Sequence, residues 1–65
     1  MEIEYNGKKV HTEAANLAAF LVEQQVNAEH VATAIDGDFV PRAQYAETQL
    51  TTGMKLEVLA PMQGG

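Results

Sequence analysis

The stretch MEIEYNGKKVHT, residues 1–12, decides the fold. Asn6-Gly7 sits between two short runs, and a two-residue type I′ turn needs positive φ at both of its central positions, which Asn and Gly tolerate best. With that pair in the turn, Tyr5 faces Lys8, Glu4 faces Lys9, Ile3 faces Val10 and Glu2 faces His11. Ile3, Tyr5 and Val10 then share one face, and the opposite charges of Glu4 and Lys9 meet on the other. A one-residue slip would lose both matches, so turn chemistry and hydrophobic pattern specify the same register.

A hairpin cannot hide its apolar face alone, so the following residues must cover it. NLAAFLVEQQV, residues 16–26, reads as a helix. Asn16 can cap its first turn, Ala, Leu, Glu and Gln are good helix formers, and Leu17, Phe20 and Leu21 fall on one face. NAEH (27–30) reads as a turn and HVATAID (30–36) as a strand, with the small Ala32 and Ala34 leaving its inward face open. DGD (36–38) is a tight turn, FV (39–40) a short edge strand ended by Pro41, and RAQYAETQL (42–50) irregular or short helix. Gly53 punctuates before a last strand, MKLEVLA (54–60), in which Leu56 and Val58 alternate with Lys55, Glu57 and Leu59.

The order of elements is therefore strand, strand, helix, strand, short strand, strand. One helix must pack across one side of the sheet, and the last strand is expected beside the first, parallel to it, at the centre. This is an α+β, ubiquitin-like β-grasp layout: a mixed four- to five-stranded sheet packed on one helix. The expected organisation is a β-grasp domain over residues 1–60 and a flexible tail, PMQGG, over residues 61–65.

Composition limits what such a domain does. At 65 residues it is near the lower limit for independent folding, with no room for a core and a substrate cavity together. An apolar share of 46% is that of a globular chain. There is no cysteine, hence no disulfide, thiolate metal site or side-chain thiol chemistry, and this fits a reducing compartment. No apolar run approaches a membrane span and MEIEYNG is not a signal sequence, so the expectation is a cytoplasmic protein that neither enters nor crosses a membrane. The formal charge of −5 with four Lys and Arg argues against nucleic acid. The acids concentrate in the first half, as Glu2, Glu4, Glu13, Glu23, Glu29, Asp36 and Asp38 against Lys8 and Lys9. The second half, where Arg42 and Lys55 balance Glu47 and Glu57, is nearly neutral, as either a partner-binding face or a plain surface would be.

Side-chain chemistry is scarce. His11 and His30 have no companions at ligand spacing, so no metal site is expected. There is no serine nucleophile, and the threonines suit strands and turns. Glu2 and Glu4 share the outer face of a strand, where solvation explains them better than acid–base work. Gly7, Gly37 and Gly53 are isolated turn glycines, not a phosphate loop. The chain does not read as an enzyme. The carboxylate at Gly65 is the remaining group. A five-residue tail spans roughly 17 Å at about 3.4 Å per residue, and two glycines let it enter a narrow channel. Gly-Gly at a given position arises by chance in roughly one chain in two hundred, and chain ends are often unselective, so the tail decides nothing alone. A free carboxylate is ionised at neutral pH and a poor electrophile, so a carrier role requires an ATP-using partner.

The whole chain resembles the ThiS/MoaD group of sulfur carriers, and the ThiS branch most. The resemblance rests on the NG hairpin, NLAAFL (16–21), AIDGDFVPRAQYAETQL (34–50), TTGMKLEVL (51–59) and the final GG; FVPR followed by YAETQL is its most specific part. Asp36-Gly37 replaces a frequent Asn-Gly, Thr52-Gly53-Met54 replaces Asp-Gly-Asp, and Met62-Gln63 stands where a small residue is usual before Gly64.

The resemblance implies a carrier that is a substrate of partner enzymes and binds no cofactor itself. An adenylyltransferase of the ubiquitin-activating type would use ATP to join AMP to the Gly65 carboxylate. A sulfur donor of the cysteine-desulfurase type, carrying a persulfide, would displace AMP and leave a thiocarboxylate, and thiazole synthase would accept the sulfur. Gly65 is then the atom carrier and Gly64 gives clearance beside it. Docking candidates are Phe39, Val40, Arg42, Tyr45, Leu59 and Met62. Core packing explains Phe39 and Tyr45 equally well, a surface role without a partner explains Arg42, and strand parity and tail position turn Leu59 and Met62 outward. A molybdopterin-synthase-type sulfur carrier, a ubiquitin-like modifier and a pure interaction module remain alternatives.

Overall fold

The computed structural model describes residues 1–60. It begins with the expected hairpin, β1 (Glu2–Tyr5) and β2 (Lys8–His11), antiparallel with Glu2 opposite His11, Ile3 opposite Val10, Glu4 opposite Lys9 and Tyr5 opposite Lys8. All four pairs are those that the turn chemistry specifies. Asn6 and Gly7 take φ of 50° and 84°, the left-handed conformations that a type I′ turn requires.

The helix α1 covers Leu17–Glu23, and Asn16 Oδ1 accepts the Ala19 N–H at 2.8 Å as its N-cap. It is shorter than the sequence pattern suggests. Gln25 has φ of 60°; its N–H donates to Val22 O, and the Val26 N–H donates to Leu21 O, both at 2.9 Å. This is a Schellman termination with glutamine, not glycine, in the left-handed position, and it turns Val26 back onto the core. NAEH is a 3₁₀ turn, Ala28–His30, capped by Asn27 Oδ1 on the Glu29 N–H at 2.9 Å.

The strands β3 (Ala32–Ile35) and β4 (Asp38–Val40) form a second hairpin around Asp36-Gly37, and a 3₁₀ helix over Arg42–Glu47 leads towards β5 (Lys55–Leu59). The sheet order is β2-β1-β5-β3-β4, with β5 parallel to β1 and antiparallel to β3. This is the ubiquitin-like β-grasp of α+β class, with the last strand in the middle of the sheet. Thr33 supplies the inward face of β3 and is 2% exposed, which resolves the ambiguity left by its flanking alanines.

The core lies between α1 and one face of the sheet. Leu17, Phe20 and Leu21 of the helix meet Ile3, Leu56 and Val58 of the strands. Full burial of side chains of this size contributes about 1.5–3 kcal/mol each. Tyr5 and Phe20 pack edge to face, ring centroids 5.0 Å apart and planes at 80°. The connector after β4 closes the helix end of this core. Tyr45 and Leu50 are buried, the Leu17 N–H donates to Thr48 O at 2.9 Å, and the Leu50 N–H donates to Ala15 O at 3.1 Å. A donor at the helix start, which has no partner within the helix, is thereby satisfied.

Candidate functional site

The face of the sheet turned away from α1 carries the exposed apolar side chains near the end of β5. Along β5, Leu56 and Val58 point inward while Lys55, Glu57 and Leu59 point outward. Cross-strand pairing extends that outward row: Leu59 lies opposite Ala32, Glu57 opposite Ala34, and Ala34 opposite Phe39. Phe39 and Leu59, 69% and 68% exposed, therefore stand diagonally across β3 with two alanines between them. Two large apolar groups flanking small ones on an open sheet form a shallow hydrophobic face of the kind that proteins use for contact. Val22, also exposed, is on α1 and belongs to a different surface.

The docking candidates separate on burial. Phe39 and Leu59 share the open face, and Arg42 is exposed, its Nη1 donating to Glu29 O at 3.1 Å. Val40 and Tyr45 are core residues, 8% and 3% exposed, and their side chains are removed from any docking surface. Val40 pairs with Thr33 on the inner face, so its neighbour Phe39 must point out. Tyr45 is turned under the connector with its hydroxyl 3.5 Å from Val31 O. Met62, Gly64 and Gly65 lie outside the described residues.

Hydrogen bonds from both hairpin turns reach β5. Asp36 Oδ1 accepts the Lys55 N–H at 3.0 Å. Asn6 goes further: Oδ1 accepts the Val58 N–H at 2.8 Å and Nδ2 donates to Val58 O at 3.1 Å. The sequence marks Asn6 as a turn residue, but nothing local signals a contact 52 positions away.

Among the described residues there is no group of three or more His, Asp or Glu that could hold a metal ion. One open depression lies between the hairpin turns, lined by residues including Glu4, Asn6, Asp36 and Lys55, and another lies against Glu2, Lys9 and Gly53. The Glu13 carboxylate is held below the usual range, chiefly by its 2.6 Å hydrogen bond with His11 and secondarily by nearby positive charge. That pair is exposed to solvent at the end of β2 and the loop that follows it. No helix of the described residues is long and apolar enough to cross a membrane.

The ThiS family model matches residues 2–65. The chain belongs to the ThiS family. The crystal structure of a thiamine biosynthesis protein (ThiS) from Geobacter metallireducens matches this fold with a TM-score of 0.84 at 29% identity, each chain covered in full. The solution structure of a thiamine biosynthesis protein from the same organism matches with a TM-score of 0.83 and 29% identity, over 100% of this chain and 88% of the other. No match was found among curated protein sequences. Membership of the ThiS family accounts for the β-grasp fold.

Proposed function

We propose that this chain is a sulfur carrier of thiamine biosynthesis, with Gly65 as the residue that carries the sulfur. The observation that carries the reading is the ThiS family match, which runs through Gly65. The chemistry required is consistent with what the chain has. A carboxylate with a pKa near 3.5 is ionised at neutral pH and resists nucleophiles. Attack by its oxygen on the α-phosphorus of ATP forms an acyl adenylate and releases pyrophosphate. Sulfide then adds to the carbonyl carbon and AMP leaves, so that a thiocarboxylate replaces the carboxylate. The thiocarboxylate sulfur is nucleophilic where the original oxygen was inert; its transfer at thiazole synthase, with an oxygen from water taking its place on the acyl carbon, returns the carrier to its starting form.

None of these steps uses a side chain of this protein as acid, base or nucleophile. An adenylyltransferase of the ubiquitin-activating type supplies the ATP site. Where a cysteine-desulfurase-type donor supplies the sulfur as a persulfide in place of sulfide, its attack releases AMP and leaves an acyl disulfide, which a thiol reductant cleaves to the thiocarboxylate. The chain's own contribution is recognition, through the Phe39–Leu59 face, and delivery of Gly65 past the narrow Gly64. The absence of cysteine leaves no internal thiol to compete for the activated acyl group.

Intact-mass measurement after incubation with ATP, such an adenylyltransferase and sulfide tests the reading. The expected result is a gain equal to the exchange of one oxygen for sulfur, mapped to Gly65. No gain, or a gain mapped elsewhere, rejects it. Subsequent sulfur transfer to thiazole synthase, and not to a molybdopterin synthase large subunit, assigns the pathway.

A further inference from the structure

The backbone of β1 stops supporting β5 before β5 ends. The Glu4 N–H donates to Met54 O and the Asn6 N–H to Leu56 O, both at 2.9 Å, in the two-residue steps of a parallel ladder. At Asn6 the backbone turns away into the hairpin loop, with φ of 50°. The next groups of β5 on this side are the N–H and C=O of Val58, and both would be left to solvent. The Asn6 carboxamide takes them instead, accepting from the N–H at 2.8 Å and donating to the C=O at 3.1 Å. An amide side chain presents a carbonyl oxygen and an N–H in the arrangement of a peptide group, so it prolongs the ladder by one step without any strand. The other side of β5 is already held by β3, through Thr33 opposite Val58 and Ala32 opposite Leu59.

We infer that Asn6 is a positioning residue for the carrier terminus: its side chain fixes the end of β5 from the open side and so sets the course of the chain through Leu59 and Ala60. Without it, Val58–Ala60 is supported along one edge alone and can peel or twist away from β1. Leu59 then leaves the apolar face that it forms with Phe39, and the chain beyond Ala60 starts from a wider range of directions. Productive insertion into a partner's active site is sensitive to such misplacement, of the order of an ångström. This inference rests on the sulfur-carrier reading for its functional consequence, but not for the structural one.

The hairpin turns provide an internal comparison. Asp36 has the same left-handed backbone as Asn6, with φ of 51°, and also binds β5 by its side chain, but at Lys55, where the strand begins. Glycine adopts this backbone freely, so Asn6→Gly and Asp36→Gly each keep the turn and delete the side-chain hydrogen bonds to β5, two at Val58 in the first and one at Lys55 in the second. Amide exchange and backbone relaxation by NMR form the first arm. In Asn6→Gly, protection at Val58 is expected to fall about tenfold and the order of the Leu59 and Ala60 amides to drop, while Asp36→Gly leaves these amides unchanged. The second arm is carrier-dependent exchange of pyrophosphate into ATP by an adenylyltransferase of the ubiquitin-activating type. Asn6→Gly is expected to lower kcat/KM about tenfold, Asp36→Gly to stay within about twofold, and Asn6→Asp, which keeps only the acceptor, to fall between. Unchanged Leu59 and Ala60 dynamics in Asn6→Gly, or equal losses of exchange in Asn6→Gly and Asp36→Gly, overturn the inference. If the unaltered carrier supports no exchange, the sulfur-carrier reading fails, and the NMR arm still decides whether Asn6 holds the strand end.

Discussion

The Thr12 hydroxyl donates to the Glu23 carboxylate at 2.6 Å while its oxygen accepts the Ala14 N–H at 3.0 Å. One buried oxygen thus joins the segment leaving β2 to the last turn of α1. Thr12→Val keeps the shape and removes both bonds, leaving the Ala14 N–H without its partner. The expected loss is about 1–3 kcal/mol, read from the urea midpoint at constant m-value. Thr12→Ser should retain most of the stability, and a wild-type midpoint for Thr12→Val would show that the hydroxyl holds nothing.

The two sides of the sheet should answer differently to truncation. Leu56→Ala opens the core and is expected to cost about 2–5 kcal/mol. Phe39→Ser and Leu59→Ser alter exposed positions and should change stability by about 0.5 kcal/mol or less. If their face docks the activating partner, each should weaken association about tenfold, measured as the KM for the carrier. A KM unaffected by either change places docking elsewhere.

Replacing His11 should release Glu13. With His11→Ala the strongest cause of the lowered Glu13 pKa is gone, so the carboxyl should titrate closer to its usual range in an NMR pH series. The sign for stability follows from the lowered folded-state value. The contribution is present above the unfolded pKa of Glu13 and is lost as pH falls through the folded one, so His11→Ala should be less acid-sensitive at this site. The pair is exposed, so the effect on overall stability should be small and weaker still in high salt. An unmoved Glu13 titration would count against the pair.

At the tail, Gly64→Ala should slow loading and removal of Gly65 should abolish it, while the thermal midpoint stays that of the full chain. The core cluster of the described residues runs from Ile3 to Val58 and does not require either glycine. Normal thiocarboxylate formation by the shortened chain would reject Gly65 as the carrier.

The first hairpin was legible to the residue because the Asn6-Gly7 turn and the placement of Ile3, Tyr5 and Val10 impose the same register. The end of α1 was not, since Gln25 occupies a backbone position that glycine usually announces. Phe39 and Val40 are adjacent and both apolar, so their opposite fates depend on pairing with Ala34 and Thr33, which only the folded sheet reveals. Tyr45 needed the connector to be placed over α1 before its burial could be known. The contact of Asn6 with Val58 joins distant parts of the chain through one side chain, and no window along the sequence contains both.

The parallel pairing of β1 with β5 has a consequence for biosynthesis on the ribosome. The strand that joins the two hairpins is the last of the described elements to be translated. Until it leaves the exit tunnel, β1 and β3 have no common neighbour and the apolar faces of both hairpins await a centre. Completion of the sheet therefore waits until β5 has been made and released from the tunnel, and its long-range closure favours slow folding for a domain of this size. A nascent chain arrested before Lys55 should be readily digested by protease, whereas the released protein should resist.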